Sequence, residues 1–207
     1  MHICVLQGTR KMSTSTSMPR FCDLVVDTDI AKAAGGEDAR HPVSCACRDF
    51  LARMMELNRH NLDGPRLVMS DSLKAEWNSH KSAYTRKWYM QMLGRGYIRD
   101  VAIPAELSAL LRHMIMNSSL ASISQIDAML NDRHLIEAAI ASDLIIISKE
   151  AEARREYAFY AHRISNDNLP VEDIAWINPT IPSEDAIAWL DNGAIRENGR
   201  MLRNCNT

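Results

Sequence analysis

The segment Cys22-Asp-Leu-Val-Val-Asp-Thr-Asp29 places a short apolar run directly before two carboxylates. A second segment, Leu144-Ile-Ile-Ile-Ser-Lys-Glu150, likewise sets an apolar run before a hydroxyl and an acid. Both apolar runs predict buried strands. Carboxylates gathered where such strands end repel one another and lose hydration, which costs free energy unless a cation lies among them. The two segments therefore predict a divalent-metal site at the ends of two strands.

Length and composition predict one compact domain with appended tails. The 207 residues can bury one sizeable core, and 46% hydrophobic and 24% charged residues are ordinary for a globular protein. We expect a flexible arm over residues 1–20, a domain over residues 21–180, and a C-terminal helix and tail over residues 181–207. The net charge of -2 gives no general attraction to nucleic acid or membrane, so nucleic-acid binding requires a local basic patch.

Hydropathy and cysteine usage favour the cytoplasm. No apolar stretch reaches the roughly 18 residues that cross a bilayer, and the N-terminal segment is too short and interrupted for a secretory signal. The five cysteines are odd in number and lack the paired spacing of a zinc site. We therefore expect reduced thiols in a cytoplasmic protein that does not bind membranes.

Strand-like and helix-like segments alternate along the chain. Strands are predicted at 24–26, 66–70, 97–103, 144–148 and 173–179, and helices at 41–57, 71–94 with a break, 104–116, 123–142 with a bend near Asn131, 150–164 and 183–190. Neighbouring parallel strands need helical crossovers, and those crossovers cover both faces of the sheet. The sequence therefore predicts an α/β fold, a three-layer α/β/α sandwich around a mostly parallel sheet of about five strands.

Acidic side chains recur where these strands end. Asp27 and Asp29 follow the first strand, and Glu76 lies in the helix after the second. Ser148 and Glu150 follow the fourth strand. Ligands of parallel α/β sheets bind at the carboxyl ends of the strands. This placement predicts that the three strand ends meet at one site.

The order of these motifs resembles that of a PIN domain, from Cys22 to Pro179. The resemblance rests on five segments, which are Leu24-Val-Val-Asp-Thr-Asp29, Ser70-Asp-Ser-Leu-Lys-Ala-Glu-Trp77, Asp132-Arg-His-Leu-Ile-Glu-Ala-Ala139, Ile145-Ile-Ile-Ser-Lys-Glu150 and Trp176-Ile-Asn-Pro179. It implies a metal-dependent nuclease, in most members an endoribonuclease, that would use Mg²⁺ or Mn²⁺ to cleave single-stranded RNA. Carried over residue by residue, its catalytic and metal-binding acids match Asp27, Glu76, Asp132 and Glu150.

Two residues depart from the family pattern. Glu150 stands two positions after Ser148, where the family commonly has aspartate, and its extra methylene moves the carboxylate by about 1 Å or more. Asp29 follows Thr28, where the family usually has asparagine. One more negative charge there could tighten metal binding or raise repulsion when metal is absent.

The resemblance implies a chemistry for these acids. Two divalent ions could activate a water molecule and stabilise the leaving oxygen of a phosphodiester. In this interpretation Asp27 and Asp132 are direct ligands, and Glu76 is a ligand or the general base. The other polar residues of the motifs would support the ligands or contact substrate phosphate, and these are Thr28, Asp29, Ser148 and Lys149.

Each acid also has an ordinary structural interpretation. Glu76 lies in an early helical turn and Glu150 at a helix start, where the helix dipole favours acids. Asp132 could cap a new helix at the predicted bend. The neighbouring His134 and Glu137 are expected to be solvated or packed rather than to act as ligands.

Basic and aromatic residues interleave in Lys81-Ser-Ala-Tyr-Thr-Arg-Lys-Trp-Tyr89, and Arg95 follows. Such a surface suits phosphate contacts and base stacking with single-stranded RNA. The residues concerned are Arg86, Lys87, Trp88 and Arg95. The alternative is a helix in which Trp88 is buried and the charges are solvated. The apolar stripe with methionines between Leu107 and Met129 is either core or a homodimer face.

Other functions stay open. Asp27 and Asp29 resemble the aspartate pair of haloacid-dehalogenase-like phosphatases, with Ser70 and Lys149 in later roles, although Glu76 and Asp132 then go unexplained. A catalytically weak PIN-like module could instead bind RNA or a protein partner. The resemblance also suggests one biological role, the toxin of a toxin–antitoxin pair with an inhibitory antitoxin-like partner.

Overall fold

The computed structural model describes residues 22–60, 64–118, 122–165 and 169–205. The arm predicted at 1–20 lies outside these ranges, and so does Cys4. The other four cysteines are free thiols, as expected for reduced cysteines. Within the described ranges no helix combines the length and the apolar character needed to cross a bilayer.

A sheet of five strands forms the centre of the molecule, in the order β3-β2-β1-β4-β5. All four neighbouring pairs are parallel. The strands are β1 (Asp23–Val26), β2 (Arg66–Met69), β3 (Ile98–Asp100), β4 (Ile145–Ile147) and β5 (Ala175–Ile177). The predicted three-layer α/β/α sandwich is confirmed. The five predicted strand positions are confirmed as well, although β3 and β5 are shorter than the sequence indicates.

The central strands are apolar because both of their faces are covered. Leu24, Val25 and Val26 in β1 are fully buried, and so are the three isoleucines of β4. Parallel sheets flanked by helices on both sides favour such continuous β-branched runs over alternation. The largest fully buried side chains of the core, Trp77, Trp176, Tyr157, Tyr160 and Phe50, come from β5 and from three of the helices around the sheet.

Eight α-helices lie within the described residues. They are α1 (Thr28–Ala33), α2 (Pro42–His60), α3 (Asp71–His80), α4 (Ala83–Gly94), α5 (Ala105–Met116), α6 (Ile123–Ile140), α7 (Ala151–Ile164) and α8 (Ala186–Asp191). The predicted break between residues 71 and 94 falls at Lys81–Ser82, because the Ser82 hydroxyl accepts a bond from the Thr85 amide and starts a new helix. In the methionine-containing stripe, Leu111, Ile115 and Met129 are buried, as expected for core.

The helices differ from the sequence predictions at two places. α6 runs unbroken from Ile123 to Ile140 behind a capping box of Ser122 and Gln125, so no new helix starts near Asn131. Asp132 therefore lies in the middle of a helix and caps nothing. The helix predicted over residues 183–190 starts later than expected, since Ser183 lies in a 3₁₀ turn over Pro182–Glu184 and α8 begins only at Ala186.

The strand order creates a crevice beside β1. The chain passes from β1 to β2 and β3 on one side, and it then crosses to place β4 on the other side of β1. Crossovers that leave a parallel sheet in opposite directions open a crevice at the carboxyl ends of the strands, and ligands bind there. The residues directly after β1 and β4 line this position.

Candidate functional site

Asp27 and Ser148 join the ends of β1 and β4. The Ser148 hydroxyl donates a hydrogen bond of 2.7 Å to Asp27 Oδ2, and both side chains are buried. Asp27 also caps α1, because its Oδ1 accepts the Asp29 amide at 3.3 Å. The Glu150 amide in turn donates to Ser148 Oγ at 3.0 Å. These bonds fix the two loops that the sequence predicted to meet.

Burial dominates the electrostatics of Asp27. Its desolvation raises the pKa of the carboxyl above the ordinary value, while the bonds from Ser148 and from the Asp29 amide lower it. The nearby Glu76 carboxylate adds to the increase and His134 opposes it. Asp27 is thus a buried acid that a proton or a cation would stabilise.

The pKa of the Asp29 carboxyl is strongly raised, which the sequence alone did not indicate. Burial and the charge of Asp27 raise its pKa to about 8, and Lys149 opposes this increase. The Lys149 ammonium lies 3.5 Å from Asp29 Oδ2 and 3.3 Å from Glu150 Oε1. Within the described residues neither carboxylate oxygen of Asp29 accepts a well-formed hydrogen bond. A buried carboxyl left in this way is costly when ionised.

Asp132 belongs to the same site, although it comes from the middle of α6. Burial raises its pKa to about 6, and the next largest contribution is the charge of Asp27. Glu150 and Glu76 raise it further, which places all four predicted acids within electrostatic reach of one another. Glu150 lies at the rim, where its side chain remains half exposed.

Glu76 pairs with His134, a contact that sequence analysis missed. His134 Nε2 lies 2.8 Å from Glu76 Oε2, close enough for an ion pair although the two are not aligned as a hydrogen bond. His134 Nδ1 lies 3.0 Å from the carbonyl of Asn131, which can only accept, so Nδ1 carries a hydrogen. The contact places an imidazole nitrogen directly beside a carboxylate of the site.

His134 was expected to be solvated or packed, and the structure packs it, but against an acid of the site. No sequence signal finds this contact, because α3 and α6 are far apart along the chain and the spacing of Asp132 and His134 does not mark one helix face. The prediction for Glu137 is confirmed, since Glu137 is buried and pairs with Arg133 at 3.1 Å.

Unsatisfied polar atoms are concentrated at this site. Within the described residues, eight buried side-chain nitrogen or oxygen atoms lack a well-formed hydrogen bond, and five of them belong to Thr28, Asp29, Glu76 and His134. Three of these five atoms lie in the ion pairs Glu76–His134 and Asp29–Lys149, which leaves Thr28 Oγ1 and Asp29 Oδ1 as the oxygens without such a partner. The oxygen-rich donor set fits a hard divalent cation such as Mg²⁺ or Mn²⁺.

The acids do not form a closed cage. Among the residues that the structure describes, no three histidine, cysteine, aspartate or glutamate side chains are arranged to hold one metal ion together. Mg²⁺ does not require such a cage, because it keeps several waters and is bound by one or two carboxylates together with substrate phosphates. Asp27, with Asp29 or Asp132 beside it, supplies that number of carboxylates.

The prediction that α4 carries an RNA-stacking surface is wrong for its central residue, Trp88. Trp88 is buried, and its indole N–H donates to the Leu51 carbonyl at 2.6 Å, so it cannot stack on a base. Lys87 pairs with Glu37 at 2.6 Å, while Arg86 and Arg95 are exposed. The alternative interpretation, a buried Trp88 with solvated charges around it, is confirmed.

The acidic crevice is therefore the strongest candidate site in the described part of the chain. Its residues come from the ends of β1 and β4 and from α3 and α6. In comparisons with known proteins, the chain matches no family model, no curated protein and no solved structure.

Proposed function

We propose that the protein is a metal-dependent nuclease that hydrolyses phosphodiester bonds of single-stranded RNA at the acidic crevice, as the resemblance to PIN domains implies. The observation that carries the proposal is the cluster of carboxyl groups at the β1–β4 crevice, where burial and the charges of neighbouring acids raise the pKa values of Asp27, Asp29 and Asp132. A bound cation would stabilise the ionised form of such carboxyls.

Asp27 would hold the ion, since Ser148 and the Asp29 amide fix the orientation of its carboxylate. Bound Mg²⁺ or Mn²⁺ would neutralise the phosphate and lower the pKa of a bound water. Asp132 suits the acceptor of the water proton, because its pKa of about 6 leaves it mostly ionised but still basic at neutral pH.

Hydrolysis also needs a proton donor. As the water oxygen bonds to phosphorus, the bond to the leaving oxygen breaks and that oxygen needs a proton. His134, whose Nε2 lies 2.8 Å from Glu76 Oε2, would be the residue that donates it. Lys149 lies beside Asp29, 3.5 Å from its Oδ2, and its ammonium would contact a phosphate oxygen there.

Cleavage of labelled single-stranded RNA, with Mn²⁺ or with a chelator, tests the proposal. Asp27→Asn and Asp132→Asn should each abolish metal-dependent cleavage, and calorimetry should find weaker Mn²⁺ binding to Asp27→Asn. Glu106→Gln, an exposed acid in the first turn of α5, is the matched control and should cleave like the wild type. Equal cleavage by all four proteins would reveal a contaminating nuclease and remove the support for this function.

A phosphatase that uses Asp27 as nucleophile is the second candidate. The observation in its favour is Asp29, which lies two residues further on, has a pKa of about 8 and could serve as a general acid beside Lys149. Against it, Ser70 is buried and caps α3 by accepting the Leu73 amide at 3.3 Å. Radiolabelled phosphate trapped on Asp27 would favour the phosphatase over the nuclease.

A binding module without catalysis is the third candidate, and the absence of a closed ligand set among the described residues favours it. RNA binding that persists in chelator, without cleavage in Mn²⁺, would support this function. A toxin role with an inhibitory antitoxin-like partner belongs to the nuclease proposal, and growth arrest on expression that Asp27→Asn relieves would support it.

A further inference from the structure

A second polar cleft lies at the opposite edge of the sheet from the acidic crevice. It has a volume of about 480 Å³, and its lining includes Cys22, Asp23, Arg66, Arg99, Ser142 and Arg196. Asp23 and Arg66 are the first residues of β1 and β2 and pair directly in the sheet, so the cleft lies at the amino ends of the strands. It shares no residue with the acidic crevice.

The buried carboxylate of Asp23 holds two arginines of the cleft in place. Asp23 accepts two hydrogen bonds from the fork of Arg66, at 2.7 and 2.9 Å, and a third from Arg99 Nη1. Asp23 is 3% exposed, whereas the Arg66 and Arg99 side chains are 49% and 37% exposed. Each guanidinium has five N–H donors, so both retain donors that face the cleft. Their positions are fixed before any ligand arrives.

The charge of the cleft is positive. Three arginines line it against two carboxylates, Asp23 and Asp143, and the Asp143 carboxylate already accepts the Asp23 amide at 2.8 Å. Arg196 is exposed and forms no ion pair with any residue that the structure describes. A surplus guanidinium beside two fixed ones suits an anion that can accept several N–H bonds at once.

The turn after α8 brings Arg196 to the cleft. Ala194 has a φ of 52°, and its amide donates to the Trp189 carbonyl at 3.1 Å, which closes the end of the helix. On the other side of the cleft Leu144, with a φ of 60°, follows α6 in the same way, since its amide donates to the Ala139 carbonyl at 3.0 Å.

We propose that this cleft binds a phosphate group, free or as the monoester of a small molecule such as a nucleoside monophosphate. A phosphate accepts several N–H bonds at once, and the donors of Arg66 and Arg99 that Asp23 leaves free, together with those of Arg196, line the cleft. The cleft is larger than a bare phosphate and lies within the range of about 300–1,000 Å³ typical of small-molecule sites, which favours the monoester.

Calorimetric titration of the full chain tests the proposal, in a chelator so that no metal-bound phosphate forms at the acidic crevice. The probes are a nucleoside 5′-monophosphate, the corresponding nucleoside and inorganic phosphate. We expect saturable binding of the monophosphate and none of the nucleoside. If inorganic phosphate binds as tightly, the free ion is the ligand, and if it binds more weakly, the monoester is.

Arg196→Gln should weaken phosphate binding at least tenfold without loss of stability, because Arg196 is exposed and holds no described partner. Arg99→Gln should also weaken binding while the Arg66–Asp23 pair remains. The exposed Arg112 of α5 gives the control Arg112→Gln, which should bind like the wild type. Absence of saturable binding, or unchanged affinity in Arg196→Gln, would overturn the proposal. Neither result bears on RNA cleavage, which depends on Asp27 and metal.

Discussion

At the scale of single residues, Asp29 shows most clearly what the crevice costs the fold. Its carboxyl is buried beside Asp27 and lacks a well-formed hydrogen bond among the described residues, so its ionisation destabilises the metal-free protein. We expect Asp29→Asn to raise the free energy of unfolding at neutral pH by about 1–3 kcal/mol, because burial and the charge of Asp27 disfavour the Asp29 carboxylate more than Lys149 favours it, and an amide has no charge to bury.

Urea denaturation in a chelator measures this difference. Asp38→Asn, an exposed aspartate in the loop after α1, is the control and should change stability by less than about 0.5 kcal/mol. Lower stability in Asp29→Asn than in the wild type would mean that the negative charge of Asp29 stabilises the fold, and the electrostatic account of the site would fail.

The sequence predicted the part of the site whose residues directly follow a strand. Asp27 and Ser148 meet because parallel strands bring their carboxyl ends to one edge, which the apolar runs before them indicate. The contact of Glu76 with His134 was not predictable, since it depends on how α3 and α6 pack. Trp88 was misassigned because a mixed basic and aromatic pattern does not reveal which side of its helix is buried.

At the scale of elements, the course of α6 determines where Asp132 and His134 lie. The sequence predicted a bend at Asn131 because asparagine and aspartate are weak helix formers. The buried residues Met129, Leu135 and Ile136 hold this stretch against the core, and this packing overrides the local preference. A continuous helix then presents the acid and the histidine to the crevice.

The capping box of α6 should contribute measurably to stability. Ser122→Ala removes the hydroxyl that accepts the Gln125 amide, and we expect the free energy of unfolding to fall by about 1 kcal/mol. Ser72→Ala, at an exposed position in the first turn of α3, is the matched control and should be nearly neutral. Thermal denaturation compares the two variants. An unchanged melting temperature in Ser122→Ala would show that core packing alone holds the helix start.

At the scale of the whole molecule, the alternation of apolar runs and helical segments was enough to predict the sandwich. The strand order was not predictable. β1 pairs with β4, although three connections that each contain helices separate these two strands along the chain. That order nevertheless determines the chemistry, since it opens the crevice beside β1 and sends its acids into one buried space. The resulting repulsion is a property of the assembled fold.

Stability should therefore fall as pH rises in the absence of metal. Asp29 and Asp132 have ordinary pKa values of 3.8 when unfolded and values of about 8 and about 6 when folded. A raised folded pKa means that the folded state binds the proton more tightly, so the stabilisation is complete below the unfolded pKa and is lost as pH rises through the folded one. The loss should extend from about pH 4 to about pH 8.

Urea midpoints across that range, with chelator and with Mn²⁺, measure the effect. Mn²⁺ should flatten the slope, because a bound cation favours the ionised carboxylates, and Asp29→Asn combined with Asp132→Asn should flatten it without metal. A midpoint that rises with pH in chelator would mean that the crevice already neutralises its acids. In that case no uncompensated negative charge would remain for a cation to neutralise. The crevice would then fit a binding role better than a metal-dependent nuclease.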